Sequence, residues 1–281
     1  MHIPRAWVKA TGECQTQDNR NLPVSAWGWG RDNAMAKREA SSRLERLIER
    51  IRRGDPFPDA YAYGSRPIRE EILQTFDGEI EDQPKAVITR NRYGALVLNT
   101  ARLLFLDVDL PPKSFIQRLR RLFLSSRYSE DELALAKLRN ALSQLGMATF
   151  RIYRTAAGFR AIAIDREFDP AGRDAQEFMI ATGTDPAFMH LCVAQKSFRA
   201  RLTPKPWRCN CPLPPGEHPR TDEAIRQLFA TWAGEYELVS RKYATCRYIE
   251  TIGSGSLKGT TQRLVALHDR VTRCGESLPL A

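Results

Sequence analysis

Alternating apolar and polar positions predict two strands at the start of the chain, around Ala6 to Glu13 and Val24 to Trp29. The period then changes. Ala40, Leu44, Leu47, Ile48 and Ile51 recur at helical spacing, so a helix is expected from Asp32 or Asn33 to about Arg53, ended by Gly54, Pro56 and Pro58. Its other face mixes Arg38, Arg46, Arg50 and Arg53 with Glu39, Glu45 and Glu49, which reads as a solvated, salt-bridged surface and not as a nucleic-acid stripe. A second short helix is expected over Ile68 to Phe76, followed by an acidic loop at 77–82 and a change of composition near Pro84.

Beyond Pro84 the pattern favours strands at Ala86 to Thr89, Ala95 to Leu98 and Leu103 to Asp109, with Asn91-Arg92-Tyr93-Gly94 as the first turn. Helices follow at Lys113 to Leu124 and Glu130 to Leu145, the second opened by Ser129 and Glu132 at capping-box spacing and closed by Gly146. Thr149 to Arg154 and Phe159 to Asp165 read as a hairpin across Thr155 to Gly158. A helix near Asp174 to Ala181, a compact region from Asp185 to Arg208 and a helix at Asp222 to Glu235 come next. A strand at Thr245 to Glu250, a Gly/Ser stretch at 253–259 and a helix to about Arg270 complete the chain. The order predicts an α+β fold, a mixed or antiparallel sheet flanked by helices.

The chemistry concentrates after Leu103-Leu104-Phe105-Leu106, a run apolar enough for a strand buried on both faces. Asp107 and Asp109 follow at i and i+2, so in a strand both carboxylates leave on one face. Two adjacent acids repel, and a hard divalent cation such as Mg²⁺ or Mn²⁺ is a common reason to keep them together. The plain alternative is a strand end in which Asp109 caps the turn at Leu110-Pro111-Pro112.

Charge adds a partner. The 281 residues carry 43 basic against 33 acidic side chains, a net charge of +10, which favours a polyanion such as nucleic acid. No apolar run is long enough to span a membrane and the N-terminus has no signal-peptide core, so a cytoplasmic protein is expected. Six scattered cysteines do not describe a secreted disulfide scaffold, and Cys209-Asn210-Cys211 with His218 lacks zinc-site spacing.

Two segments could meet that polyanion. The helix carrying Lys113, Arg118 and Arg121 is either a solubilising face or a track for phosphates. In the segment Phe198 to Arg208, Arg199 and Arg201 share one strand face, Pro204 and Pro206 stiffen the chain, Lys205 and Arg208 add charge, and Trp207 offers a stacking surface. The 253–259 stretch departs from the phosphate-loop order, because Lys258 precedes Gly259, and reads as a flexible linker. With four histidines and no hydrolase or dinucleotide motif, charge and metal are the economical mechanism.

In this order the pieces resemble the catalytic core of archaeo-eukaryotic primases and primase-polymerases. The resemblance rests on Leu106-Asp107-Val108-Asp109, on the turn and strand Thr155-Ala156-Ala157-Gly158-Phe159-Arg160, and on Asp185 followed by Arg199-Ala200-Arg201-Leu202 and Lys205. It covers residues 86–208. Arg160 stands where the family has a histidine, and Asp165 competes with Asp185 for the place of a third acid.

The resemblance implies a nucleotidyltransferase using nucleoside triphosphates, with Asp107, Asp109 and Asp185 as catalytic metal ligands for Mg²⁺ or Mn²⁺. Arg160, Arg199, Arg201 and Lys205 would bind nucleotide phosphates, and Lys113, Arg118, Arg121, Trp207 and Arg208 would contact nucleic acid. The expected division is an N-terminal α+β module at 1–84, either folding separately or completing the core sheet, a primase-like core at 85–208 and a helical extension at 209–281. The rival expectations are a non-catalytic nucleic-acid-binding protein of a replication or mobile-element system, and a metal-dependent phosphatase or nuclease.

Overall fold

The computed structural model describes residues 1, 3–16, 18–55, 66–76, 85–110, 129–146 and 148–281. The expected helix carrying Lys113, Arg118 and Arg121 lies outside them, as do the 77–82 loop and Pro84.

The N-terminal part is a hairpin under a helix. Strands β1 (Ala6–Gln15) and β2 (Asn21–Gly30) pair antiparallel, and helix α1 (Asn33–Arg53) packs on one face of the pair. Asp32 caps α1 by accepting the Met35 N–H at 2.8 Å, and Gly54 closes it in the left-handed conformation at φ 72°. Contact is backbone to backbone. A Cβ on Gly28 would stand 2.0 Å from the Ala40 nitrogen, so only glycine lets β2 approach the helix this closely.

The second layer is an antiparallel sheet ordered β3-β4-β5-β9, from β3 (Glu71–Phe76), β4 (Ala86–Arg90), β5 (Leu96–Thr100) and β9 (Phe198–Arg201). The helix expected over 68–76 is instead the edge strand β3. Its apolar residues Ile72, Leu73 and Phe76 satisfy a short helical pattern, and pairing with β4 overrides it. Gly94 closes the β4–β5 turn, its N–H bonding to the Asn91 carbonyl at 2.8 Å.

The third layer is ordered β10-β7-β8-β6, from β6 (Phe105–Asp109), β7 (Phe150–Thr155), β8 (Gly158–Ala163) and β10 (Cys246–Ile252). The segment beyond 208 thus contributes an edge strand to this sheet as well as helices. Side-chain alternation gives the two faces different characters. Phe150, Ile152, Ala161 and Ala163 point to one face, where Phe150 meets Phe178 at 4.9 Å between ring centroids. That face is covered by α2 (Glu130–Leu145) and α3 (Arg173–Thr182). Asp107, Arg160, Tyr153 and Arg151 point to the other, where α6 (Gly259–Thr272) brings His268 and Asp269. All three sheets are antiparallel and helices flank them, so the fold is α+β.

The remaining helices are α4 (Pro186–Gln195) and α5 (Glu223–Ser240). The Gly/Ser stretch before α6 is tied down at Gly255, whose N–H donates to Thr149 Oγ1 at 2.7 Å. It is therefore not a free linker at that point. Among the described residues no helix is long and apolar enough to cross a membrane.

Candidate functional site

The acidic pair sits at the end of β6, where β8 runs alongside in a register that sets Asp107 opposite Arg160 and Asp109 opposite Gly158. Gly158 has to be small, since a Cβ there would stand 2.0 Å from the Val108 carbonyl oxygen. Asp109 is exposed and Asp107 half-buried, both on the polar face.

Arg160 takes a structural position beneath the pair. It is 2% exposed and forks onto Asp107, Nε to Oδ1 at 2.7 Å and Nη2 to Oδ2 at 2.9 Å. Its remaining nitrogen, Nη1, donates to the Arg201 carbonyl at 2.9 Å and to His268 Nε2 at 3.3 Å. Burial opposes the charge, and the Asp107 carboxylate outweighs it, so the Arg160 pKa lies above the ordinary arginine value. The guanidinium is consumed by protein acceptors. The phosphate-binding role expected of Arg160 is corrected accordingly.

An arginine can only donate, so His268 Nε2 must accept, and Nδ1 then carries the proton towards Asp269 Oδ1 at 3.0 Å. Burial and the neighbouring Arg160 lower the His268 pKa, which keeps the ring neutral. Asp269 also accepts from Tyr153 Oη at 2.8 Å and Arg151 Nη2 at 2.7 Å. Despite its own burial, these donors hold its carboxyl below the usual range. This chain of contacts from Asp107 to Arg151 was not foreseen from sequence. Its one signal there was a His-Asp pair on the apolar side of an amphipathic helix.

Strand β9 separates its two arginines. Arg199 Nη2 donates to Glu70 Oε1 at 2.7 Å, and Glu70 is itself buried and accepts from Thr89 Oγ1. Arg199 is thereby neutralised inside the protein, which corrects its expected phosphate contact. Among the described residues Arg201 has no such partner. Burial comes first, then repulsion from Arg160 and Arg208, and against the opposing pull of Asp107 they bring its pKa down to about 10. Lys205, in the turn before the short 3-10 segment Pro206–Arg208, is likewise lowered by burial and by Arg201 and Arg208, with Asp109 pulling the other way.

Buried N–H groups without acceptors mark this cluster. Arg201 Nε and Arg208 Nη1 are both buried and unpartnered. None of Arg201, Lys205 and Arg208 has an ion-pair partner among the described residues. Trp207 is 49% exposed, with its ring edge-on to Tyr93 at 5.2 Å and Lys205 Nζ 5.4 Å from its centroid. It is available at the surface as the sequence suggested.

Asp185 does not join this site. It caps α4, its carboxylate accepting the Ala187 N–H at 2.9 Å, ahead of a proline at the first helical position. Asp165 is likewise occupied, accepting the Thr149 N–H at 2.9 Å. Among the described residues no three His, Cys, Asp or Glu side chains are grouped to hold a metal ion. The third carboxylate expected of Asp185 is thus corrected to a helix cap. Asp107 and Asp109 remain as a two-carboxylate set. Each oxygen of Asp107 keeps a lone pair beyond its bond to Arg160, which fits a single Mg²⁺ or Mn²⁺ completed by ligand oxygens. Cys209 and Cys211 pack with Trp232 and Tyr236 in a small apolar cluster, and burial raises both thiols.

Comparison with protein-family models, curated proteins and solved structures finds no match to this chain.

Proposed function

We propose that the protein binds a phosphate-rich ligand, a nucleoside triphosphate or the backbone of a nucleic acid, at Arg201, Lys205 and Arg208 beside Asp107 and Asp109. The observation that carries this reading is the pair of buried N–H groups on Arg201 and Arg208 that lack acceptors, in a cluster that has no ion pair among the described residues. Buried donors and charges are ordinarily satisfied, and their cost is removed when an anion supplies the acceptors. Phosphate oxygens suit this task, because a guanidinium can engage two at once. Trp207 at the rim offers a face for a base. The six cysteines are free and buried, as suits a cytoplasmic protein.

A second reading, metal-dependent nucleotidyl transfer of primase-polymerase type, is favoured by the acidic pair adjoining the cationic cluster. Asp107 and Asp109 would hold a divalent ion arriving with a triphosphate, and the ion would neutralise charge on the phosphates. Arg160 orients Asp107 from below, and Arg201, Lys205 and Arg208 hold the phosphate oxygens.

Calorimetric titration of a nucleoside triphosphate, with and without Mn²⁺, tests both readings. Saturable binding that is lost in Arg201→Met/Lys205→Met is expected, and equal affinity in that variant overturns the phosphate site. Loss of the Mn²⁺ enhancement in Asp109→Asn is the result expected of the second reading. An enhancement unchanged in Asp109→Asn removes it.

A further inference from the structure

The N-terminal hairpin carries an aromatic and cationic cleft remote in sequence from the acidic pair. Trp27 and Trp29 are two apart in β2 and Trp7 stands opposite Trp29 in the β1–β2 register, so the three indoles start from one face of the hairpin, and the cleft they line reaches round to α1. Arg43, Arg46 and Arg50, spaced i, i+3 and i+7 on α1, line the same cleft, and Arg66 and Arg69 complete it. It has a volume of about 720 Å³. The Arg43 guanidinium lies 4.4 Å from the centre of the Trp29 ring and that of Arg69 lies 4.1 Å from Trp27.

Charge in this cleft is under-compensated. Arg43 and Arg46 share one carboxylate, Glu39, at 3.6 and 3.5 Å, and Arg69 pairs with Glu217. Arg50 and Arg66 have no ion-pair partner among the described residues. Burial, followed by the nearby Arg66, lowers the pKa of Arg43, and burial also lowers that of Arg69. The indole N–H of Trp7, a residue 8% exposed that lines the cleft, is buried without an acceptor. A surface built only for folding would not gather five guanidinium groups around three indoles and leave a donor unsatisfied among them.

We propose that this cleft is a second binding site, for single-stranded nucleic acid. Bases stack on Trp27 and Trp29 beside their guanidinium neighbours, and backbone phosphates meet Arg46, Arg50 and Arg66. A duplex, whose bases are already stacked on one another, cannot use the indoles in this way. The 66–70 segment links this cleft to β9: Arg69 lies on Trp27 while the next residue, Glu70, holds Arg199. The proposal stands on the N-terminal residues alone and does not require the phosphate site above.

Fluorescence anisotropy of labelled oligothymidylate and oligouridylate of about 15 nucleotides tests it, against a duplex of equal length. Two variants are made in the full chain: Arg50→Glu/Arg66→Glu, which breaks no ion pair among the described residues, and Trp27→Leu. Weakening of single-strand binding by about tenfold or more in the first is expected, with a salt slope reduced by about 1.4 for two lost phosphate contacts. Trp27→Leu should weaken binding while leaving the slope unchanged, because stacking carries no counterions. Both probes weakened alike mean that the cleft takes either strand; a loss confined to one identifies DNA or RNA. Unchanged affinity in both cleft variants, or equal loss of duplex binding, overturns the proposal.

Discussion

Arg160 holds both oxygens of Asp107, at 2.7 and 2.9 Å, from a position that is itself 2% exposed. The two acids that look equivalent in Asp107-Val108-Asp109 therefore differ in their dependence on the fold. Asp107→Ala leaves a buried guanidinium without its counter-charge, and a loss of about 3 kcal/mol is expected in urea denaturation. Asp109→Ala removes an exposed group and should change stability by no more than about 0.5 kcal/mol. Equal effects from the two substitutions would contradict this division.

Arg201 is expected to trade stability for binding. Its buried guanidinium has an unpartnered Nε and meets repulsion from Arg160 and Arg208. Arg201→Met keeps the apolar stem, removes the unpaired charge and should stabilise the ligand-free protein by about 1 kcal/mol. Sodium triphosphate should raise the melting temperature of the wild type and leave that of the variant unmoved. A variant both less stable and equally responsive to triphosphate would show that Arg201 is structural.

Acid should weaken the fold through His268. Its folded pKa lies below the reference 6.5, so below that pH the unfolded chain binds a proton that the folded chain refuses. Stability is thus present above the unfolded pKa and falls as the pH drops, by about 1 kcal/mol between pH 7 and 5.5 for one such group. His218 is also lowered, chiefly by burial, and contributes in the same direction. His268→Gln can still accept from Arg160 and donate to Asp269, but it cannot titrate. Denaturation at the two pH values should show a shallower slope in this variant, and an unaltered slope would place the acid sensitivity elsewhere.

Glu70 and Arg199 form the second interior ion pair. Glu70→Ala strands the Arg199 guanidinium, whose side chain is 11% exposed, and should cost about 3 kcal/mol. Lys205→Ala, in contrast, should alter stability little and triphosphate binding strongly. A phosphate-binding role for Arg199 would show instead as lost affinity in Arg199→Met/Glu70→Leu, a double replacement that leaves no interior charge unpaired.

Much of the fold was legible locally. The Asp32 and Ser129 caps, the glycine stops at Gly54 and Gly146 and the Asn91–Gly94 turn are decided by neighbours a few residues away, so their patterns survive in the sequence. The Glu71–Phe76 segment was not legible. Six residues with three apolar positions suit either period, and the choice was made by hydrogen bonds to β4 across the segment 77–85. The apolar strand before Asp107 and the projection of both acids to one face followed from the sequence as well, because strand alternation is intrinsic to the backbone.

The sequence by itself determined the α+β order of elements, the acidic pair at a strand end and the cationic strand with its stiff, tryptophan-bearing turn. Only the tertiary structure decided which charges are free. Arg199 and Arg201 are two residues apart and chemically identical, yet one is silenced by Glu70, 129 residues away, and the other is left with an unsatisfied donor. Asp185 was lost to a helix cap, Arg160 to Asp107, and the tryptophans of β1 and β2 acquired the arginines of α1 and of the 66–70 segment. Ion pairing and hydrogen bonding act over about 3 Å, so they depend on which distant segments the fold brings together, and no pattern along the chain encodes that distance.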